Sequence, residues 1–205
     1  MRITAIKAQA KDKTRFSVFI DGRYSFSLNA SQLKTEKLSK GMDLGKEEFK
    51  RLKKLSVQGK LLNRIYRWLA IRLRSEREID DYLKRHSTGA GEARTVKSLL
   101  AAQGYVDDGK FARAWVRSKQ TLKPTSRRLL LAQLRAKGVS DKTAKEALED
   151  EASDDAVQLD LLIKSKRRQK RYQDEQKLVA YLVRQGFSWE DIRRALKQKE
   201  PYNQL

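Results

Sequence analysis

Apolar and polar positions alternate loosely at the start of the chain, through Ile3, Ala5 and Ala8 and again in Arg15-Phe16-Ser17-Val18-Phe19-Ile20. Asp21-Gly22 then separates FSVFI from RYSFSL, and an Asp-Gly pair between alternating apolar runs marks a tight hairpin. The pattern predicts a two- or three-stranded antiparallel sheet over residues 2–28, packed on helices or on a partner because so few strands are marginal alone. Asn29 or Ser31 is placed to cap a short helix through Leu38, and Gly41 breaks the chain. A second start near Lys46 leads into the helix EEFKRLKKLSVQ. After Gly59 the apolar period becomes helical and stays so. The two prolines, Pro124 and Pro201, both fit between or beyond helices. Stops or starts fall at Ser75, Gly104, Asp107, Gly138, Ser140, Gly186 and Ser188, and Ser75 with Glu78 and Ser188 with Asp191 resemble capping boxes. About nine short helices are expected between residues 60 and 200.

The helical part repeats. Val96, Ala144 and Ile192 are 48 residues apart, as are Leu100, Leu148 and Leu196, and also Leu99, Ala147 and Ala195. Ile79, Leu130 and Leu178 are 51 and 48 apart, with Leu83, Leu134 and Leu182 running parallel. The three extra residues fall in the loop His86-Ser87-Thr88-Gly89-Ala90-Gly91. Trp68, Trp115 and Ile163 are 47 and 48 apart. Ordered triplets that share one insertion are hard to obtain from chance registers of amphipathic helices. Each unit reads as an opening helix, a middle helix and a closing helix. A glycine ends the middle helix in LRAKGVS and VRQGFS. The expected fold is mainly α, an elongated curved array of three tandem three-helix repeats over 60–106, 107–152 and 153–200, after a small β-rich region over 1–58.

Charge identifies the kind of partner. The 205 residues carry 47 Lys+Arg against 26 Asp+Glu, a net charge of +21. The excess is +9 over residues 1–60, +4 over 61–104, +5 over 105–150 and +3 over 151–205. A distributed excess suits a track along a polyanion better than one pocket, with general solubility as the plain alternative. Cysteine is absent, which removes disulfides, thiolate sites and Cys nucleophiles, and His86 is the single histidine, so His-based metal clusters and Ser-His-Asp catalysis have at most one member to work with. No apolar stretch is long enough to span a bilayer and the N-terminus has no signal-peptide pattern, so a soluble, cytoplasmic protein is expected.

Candidate chemistry is sparse. Asp107-Asp108 is the conspicuous acidic pair. It follows a glycine-ended helix and precedes Phe111 and Trp115, so capping is its first reading, ahead of partner contact or a metal. Trp68 and Trp115 stand four residues before Arg72 and Lys119, and are read as core between helices ahead of base stacking. His86 opens a polar loop and is read as solvated. The densest basic run, Lys164-Ser165-Lys166-Arg167-Arg168-Gln169-Lys170-Arg171, would be positive all round as a helix, and is read as an electrostatic contact slightly ahead of a merely solvated face. No phosphate-cradling loop, cofactor site, metal site or catalytic constellation is found. These residues leave open a general basic DNA-binding protein using helix-turn-helix-like hairpins and, more distantly, a metal-dependent nuclease.

Several segments carry a further signal. Arg72-Leu73-Arg74-Ser75-Glu76-Arg77-Glu78-Ile79 followed by Leu83 resembles the R-x-R-S-E-x-E-L opening of the RecX regulatory proteins. Gly104-Tyr105-Val106-Asp107-Asp108 with Phe111, Ala112 and Trp115 is similar to that family's G-Y-L-D-D-x-x-F-A segment. Leu134 to Val139, and Arg184-Gln185-Gly186-Phe187-Ser188 with Ile192, resemble its L-x-x-K-G-I and R-x-G-F-S signatures. Ile3, Val18-Phe19-Ile20-Asp21-Gly22 and Tyr24 resemble its hairpin. Departures are Val106 for leucine, the polar loop after Arg85, and Pro124-Thr125 where glycine is common.

The resemblance covers residues 1–197. It implies a non-enzymatic regulator that binds the RecA recombinase and its filament on single-stranded DNA. Such a protein lies in the filament groove and inhibits strand exchange, ATP hydrolysis and co-protease activity, which regulates DNA repair and the SOS response. Expected partners are therefore the RecA filament and single-stranded, also double-stranded, DNA, with no membrane and a monomer when free. Candidate contacts are Arg72, Arg74, Lys119, Lys166, Arg167, Arg168, Lys170 and Arg171. Arg72, Lys119 and Arg167, 47 and 48 apart near the ends of the opening helices, are expected to form one row. Structural roles fall to Ser75, Glu78, Gly104, Tyr105, Asp107, Asp108, Phe111, Trp115, Gly138, Gly186 and Phe187.

Overall fold

A computed structural model describes residues 1–10, 12–87 and 89–197; Pro201 and Thr88 lie outside the described residues. The chain divides into two compact units, Met1–Arg72 with Tyr82–Leu99, and Leu73–Asp81 with the chain from Leu100 onward.

In the first unit, β1 (Ile3–Ala8), β2 (Arg15–Ile20) and β3 (Arg23–Asn29) form an antiparallel sheet in the order β1-β2-β3. Asp21 (φ 47°) and Gly22 (φ 79°) are both left-handed, the two-residue turn whose twist matches a hairpin. Pairing Val18 with Phe26 and Phe19 with Tyr24 leaves a bulge in β3. The buried side chains of Ile3, Val18, Ile20, Phe26 and Leu28 close on Leu44 and Leu52. Asn29 caps α1 (Ala30–Thr35), in a capping box with Gln32. This helix ends three residues before Leu38, because Lys37 turns left-handed (φ 50°) and the Leu38 N–H returns to the Leu33 carbonyl at 3.1 Å.

The next helix corrects the expectation at Gly59. Helix α2 (Lys46–Leu69) runs through that residue for 24 residues without a break. A Cβ on Gly59 would sit 3.1 Å from Gln32 Nε2 and 3.2 Å from Arg15 Nη1, so the glycine lets the Gln32 and Arg15 side chains approach the helix closely. Arg15 is itself buried, donating to the Ser27 carbonyl at 2.6 Å and to Ser27 Oγ at 3.0 Å. The polar loop is also shorter than expected: α3 (Glu76–His86) includes His86, and α4 (Ala90–Ala102) already contains Ala90 and Gly91. Trp68 of α2 stacks on Tyr82 at 4.5 Å.

The second unit holds two complete three-helix repeats. Helices α5 (Asp108–Leu122), α6 (Arg127–Ala136) and α7 (Asp141–Glu151) bury Phe111, Ala112, Val116, Leu130, Leu134, Val139 and Ala144 together. Helices α8 (Asp155–Arg167), α9 (Glu175–Arg184) and α10 (Trp189–Lys197) bury Leu159, Leu162, Ile163, Leu178, Leu182, Phe187 and Ile192. Gly104, Gly138 and Gly186 have φ of 75°, 85° and 90°, the left-handed closure expected after a helix.

Burial corrects the repeat register in two places. Ile65, Ala112 and Leu159 are buried, as are Leu69, Val116 and Ile163, and both sets are 47 residues apart. Ile163 therefore matches Val116, and Trp68 and Trp115 are answered by Leu162. Leu99 is 42% exposed whereas Ala147 is buried, so that triplet is not a core stripe. The remaining four triplets are buried throughout.

Candidate nucleic-acid and partner interface

Successive repeats join through one recurring polar junction. The Ser75 hydroxyl donates to the Lys137 carbonyl at 2.7 Å and accepts the Glu78 N–H at 3.2 Å. One repeat on, the Ser126 hydroxyl donates to the Gln185 carbonyl at 2.8 Å and accepts the Leu129 N–H at 3.2 Å. Thus the N-cap of one middle helix closes the C-terminus of the next middle helix, satisfying donors and acceptors that a helix alone leaves bare. Asp108 accepts the Glu76 N–H at 2.7 Å, and Asp155 accepts the Arg127 N–H at the same distance. Burial pushes the Asp155 carboxyl above its ordinary value, partly offset by that N–H.

The acidic pair is accounted for by these caps. Asp107 accepts the Lys110 N–H at 2.8 Å, and that bond leads the causes holding its carboxyl below the usual range. Asp108 caps α3 as well as opening α5, which the sequence pattern did not reveal. Among the described residues no group of three or more His, Asp or Glu side chains is placed to hold a metal. His86 is exposed and rests its ring on Tyr82 at 4.3 Å.

The predicted contacts separate into three groups. Arg72 and Arg74 occupy the half-buried α2–α3 connection, Arg72 three residues beyond the end of α2, and both are engaged by neighbouring groups. Lys119 lies over the Trp115 ring at 4.5 Å, and Lys137 reaches the same ring at 5.0 Å while pairing with Glu78 at 2.7 Å. Trp115 is half-buried and donates to Gln133 Oε1 at 3.3 Å, so it is core on one side and a cation platform on the other. The corrected register makes Lys166, not Arg167, the partner of Lys119 in the expected row. Lys166 lies over Tyr181 at 4.9 Å and Tyr172 at 5.5 Å.

The basic run is not one helix positive all round. Helix α8 stops at Arg167, Lys170–Tyr172 form a short 3-10 turn, and the charges fan out around a corner. Lys164 pairs with Asp160 at 2.7 Å, and Arg171 lies over Tyr172 at 5.9 Å. Arg167, Arg168 and Lys170 are exposed and make no side-chain ion pair among the described residues. Of the structural residues, Phe111 and Phe187 are buried and Tyr105 is 42% exposed.

Lys123, Tyr172 and Tyr181 lie outside the residues that the sequence pattern marks as contacts. Lys123 lies over the Tyr181 ring at 5.4 Å. The repeat contained the signal, because Arg72, Lys123 and Arg171 each stand three residues before the N-caps Ser75, Ser126 and Asp174.

A small sheet, tandem three-helix repeats and outward cations define a basic helical-repeat protein. Residues 1–45 match the regulatory protein RecX N-terminal domain, 107–148 the second three-helix domain of RecX and 159–196 its third. Regulatory protein RecX of Bacillus subtilis (strain 168) is 32% identical over 206 residues, covering 98% of this chain and 78% of that protein. Its counterpart from Listeria innocua is 30% identical, covering 95% and 74%. A crystal structure of a regulatory protein RecX superposes with a TM-score of 0.67 at 26% identity, covering 96% of this chain and 98% of that one. RecX from Lactobacillus salivarius shares the fold, with a TM-score of 0.57 at 19% identity. The chain belongs to the RecX family of regulatory proteins.

Proposed function

We propose that this protein binds the RecA recombinase filament assembled on single-stranded DNA. By occupying the filament groove it inhibits strand exchange, ATP hydrolysis and co-protease activity. It works in the cytoplasm as a monomer, by occupancy and without chemistry of its own. The expected boundaries at 106–107 and 152–153 are retained as the working division of its repeats, while α2 runs unbroken across the expected boundary at 58–60. The observation that carries this reading beyond family membership is the recurrence of Lys119 and Lys166, 47 residues apart on successive opening helices, each over an aromatic ring and without a carboxylate partner among the described residues. A repeating polymer of subunits and phosphates suits a repeating cation. No helix among the described residues is long and apolar enough to cross a membrane.

The test titrates this protein into recombinase ATPase on single-stranded DNA at fixed salt. Inhibition at amounts well below the recombinase supports filament binding. Inhibition only once the DNA is saturated means simple competition, and returns the reading to a general basic DNA-binding protein.

A further inference from the structure

We propose that Lys123, Lys166 and Tyr181 form a binding site for a phosphodiester of single-stranded DNA at the junction of the second and third repeats. This deepens the function proposed above by giving its nucleic-acid contact a place, and it rests on that reading.

The site starts from an unmet hydroxyl. Tyr181 is 9% exposed on α9, and its buried Oη has no hydrogen-bond partner. Buried hydroxyls normally find one, so a missing partner calls for an explanation. The Lys123 and Lys166 ammonium groups both lie over this ring, at 5.4 Å and 4.9 Å from its centre. Neither makes an ion pair among the described residues. Two like charges therefore converge on one buried tyrosine, neither paired with a carboxylate among the described residues.

The preceding junction shows what neutralisation looks like. There Lys137, over Trp115, pairs with Glu78 at 2.7 Å, and the Trp115 indole N–H has Gln133 as acceptor. The position equivalent to Glu78 one repeat later, 51 residues on, is Leu129. The second junction keeps the cation of Lys119 as Lys166, puts Gln185 in the place of Lys137, adds Lys123 over Tyr181, and has no carboxylate at the position of Glu78. An external oxyanion fits the arrangement: it accepts from both ammonium groups as their flexible arms lift from the ring, and from the hydroxyl this uncovers.

The rings favour a nucleic acid over an acidic peptide. Tyr172 packs against Tyr181 at 5.1 Å, is half-buried, and has Arg171 over it at 5.9 Å. A strand whose phosphate is held by the lysines meets an aromatic face flanked by cations, the combination that binds unpaired bases. A carboxylate chain would leave those faces unused.

The test is fluorescence anisotropy of a labelled oligothymidylate with the full chain over a salt series. Wild type is compared with Lys123→Gln/Lys166→Gln, with Tyr181→Phe, and with Lys142→Gln/Lys145→Gln, which removes the same charge from exposed positions of α7. The site pair should weaken binding by about tenfold and flatten the salt slope by roughly 0.7 per lost cation, more than the α7 pair does. Tyr181→Phe should weaken binding severalfold at an unchanged slope. Equal losses from both lysine pairs, or wild-type binding by Tyr181→Phe, overturn the site. So does loss of polyglutamate binding at unchanged oligothymidylate affinity, which points to an acidic protein instead. Recombinase ATPase, measured with the same proteins, separates the two readings. Oligonucleotide binding through this site without ATPase inhibition sustains the site and removes the function above. Inhibition by a wild type that binds no oligonucleotide removes the site and sustains the function.

Discussion

The hydroxyl of Ser126 donates to the carbonyl of Gln185, 59 residues away, at 2.8 Å. The same hydroxyl caps its own helix through the Leu129 N–H, so one oxygen serves two helix ends in two repeats. Ser126→Ala removes both bonds from a fully buried position. It should cost ~2 kcal/mol, the cap and the buried carbonyl together, read from the shift of the urea midpoint. A cost below about 0.5 kcal/mol, the level of an indifferent surface change, would mean that the junction is held by apolar packing alone.

Gly138 closes the other junction. Its φ of 85° disfavours any side chain, and a Cβ there would stand 2.6 Å from Cβ of Arg77. Gly104 has a similar φ of 75° but nothing within 4 Å of the same position. Gly104→Ala should therefore cost only the backbone strain of about 1–2 kcal/mol. Gly138→Ala adds overlap at the junction and should cost ~3 kcal/mol. Equal costs in chemical denaturation would contradict the close approach.

The repeated leucines are the core of each unit. Leu134 and Leu182 are both fully buried, and truncating either to Ala should cost about 2–5 kcal/mol in denaturant unfolding. A loss under about 0.5 kcal/mol at both positions would contradict the repeat assignment.

Acid should weaken the fold. The Asp107 carboxyl is lowered mainly by the Lys110 N–H, Asp141 by the Arg135 side chain and Asp174 by the Lys177 side chain. A lowered folded-state value means that these contributions are whole above the ordinary 3.8 and are lost as pH falls through the folded values. Asp155, raised by burial, has the opposite sign: its charged form opposes folding, so its share declines as pH rises through its folded value. The lowered groups outnumber it, and the urea midpoint should drop between about pH 5 and about pH 2, less steeply in Asp107→Asn. A midpoint that rises on acidification would contradict the caps.

Much of this architecture was legible because it is local. Asp21-Gly22 allows the turn its left-handed backbone, and Ser75 with Glu78 announces a helix start through neighbours in sequence. The register slip in the third repeat has an equally local cause. Leu161, Leu162 and Ile163 are consecutive apolar residues, and only burial shows that Leu161 faces outward. Gly59 looked like a break because its role depends on Arg15 and Gln32, far away in sequence. The Tyr181 site was hidden for the same reason, since Lys123 and Tyr181 meet across 58 residues and a lysine beside a tyrosine has no spacing rule. Periodicity finds stripes, whereas a site assembled between repeats appears only when the stripes are packed.

In the proposed function, cations in repeat register hold the recombinase filament. The most direct measurement is ATPase inhibition on single-stranded DNA, at physiological salt, by wild type and by Arg72→Glu/Lys119→Glu/Lys166→Glu, with circular dichroism confirming the fold. Reversing three charges should abolish inhibition by substoichiometric protein and flatten its salt dependence, because fewer counterions are released. A folded triple variant that inhibits as strongly as wild type would contradict the account and reduce the row to cations that merely suit helix ends.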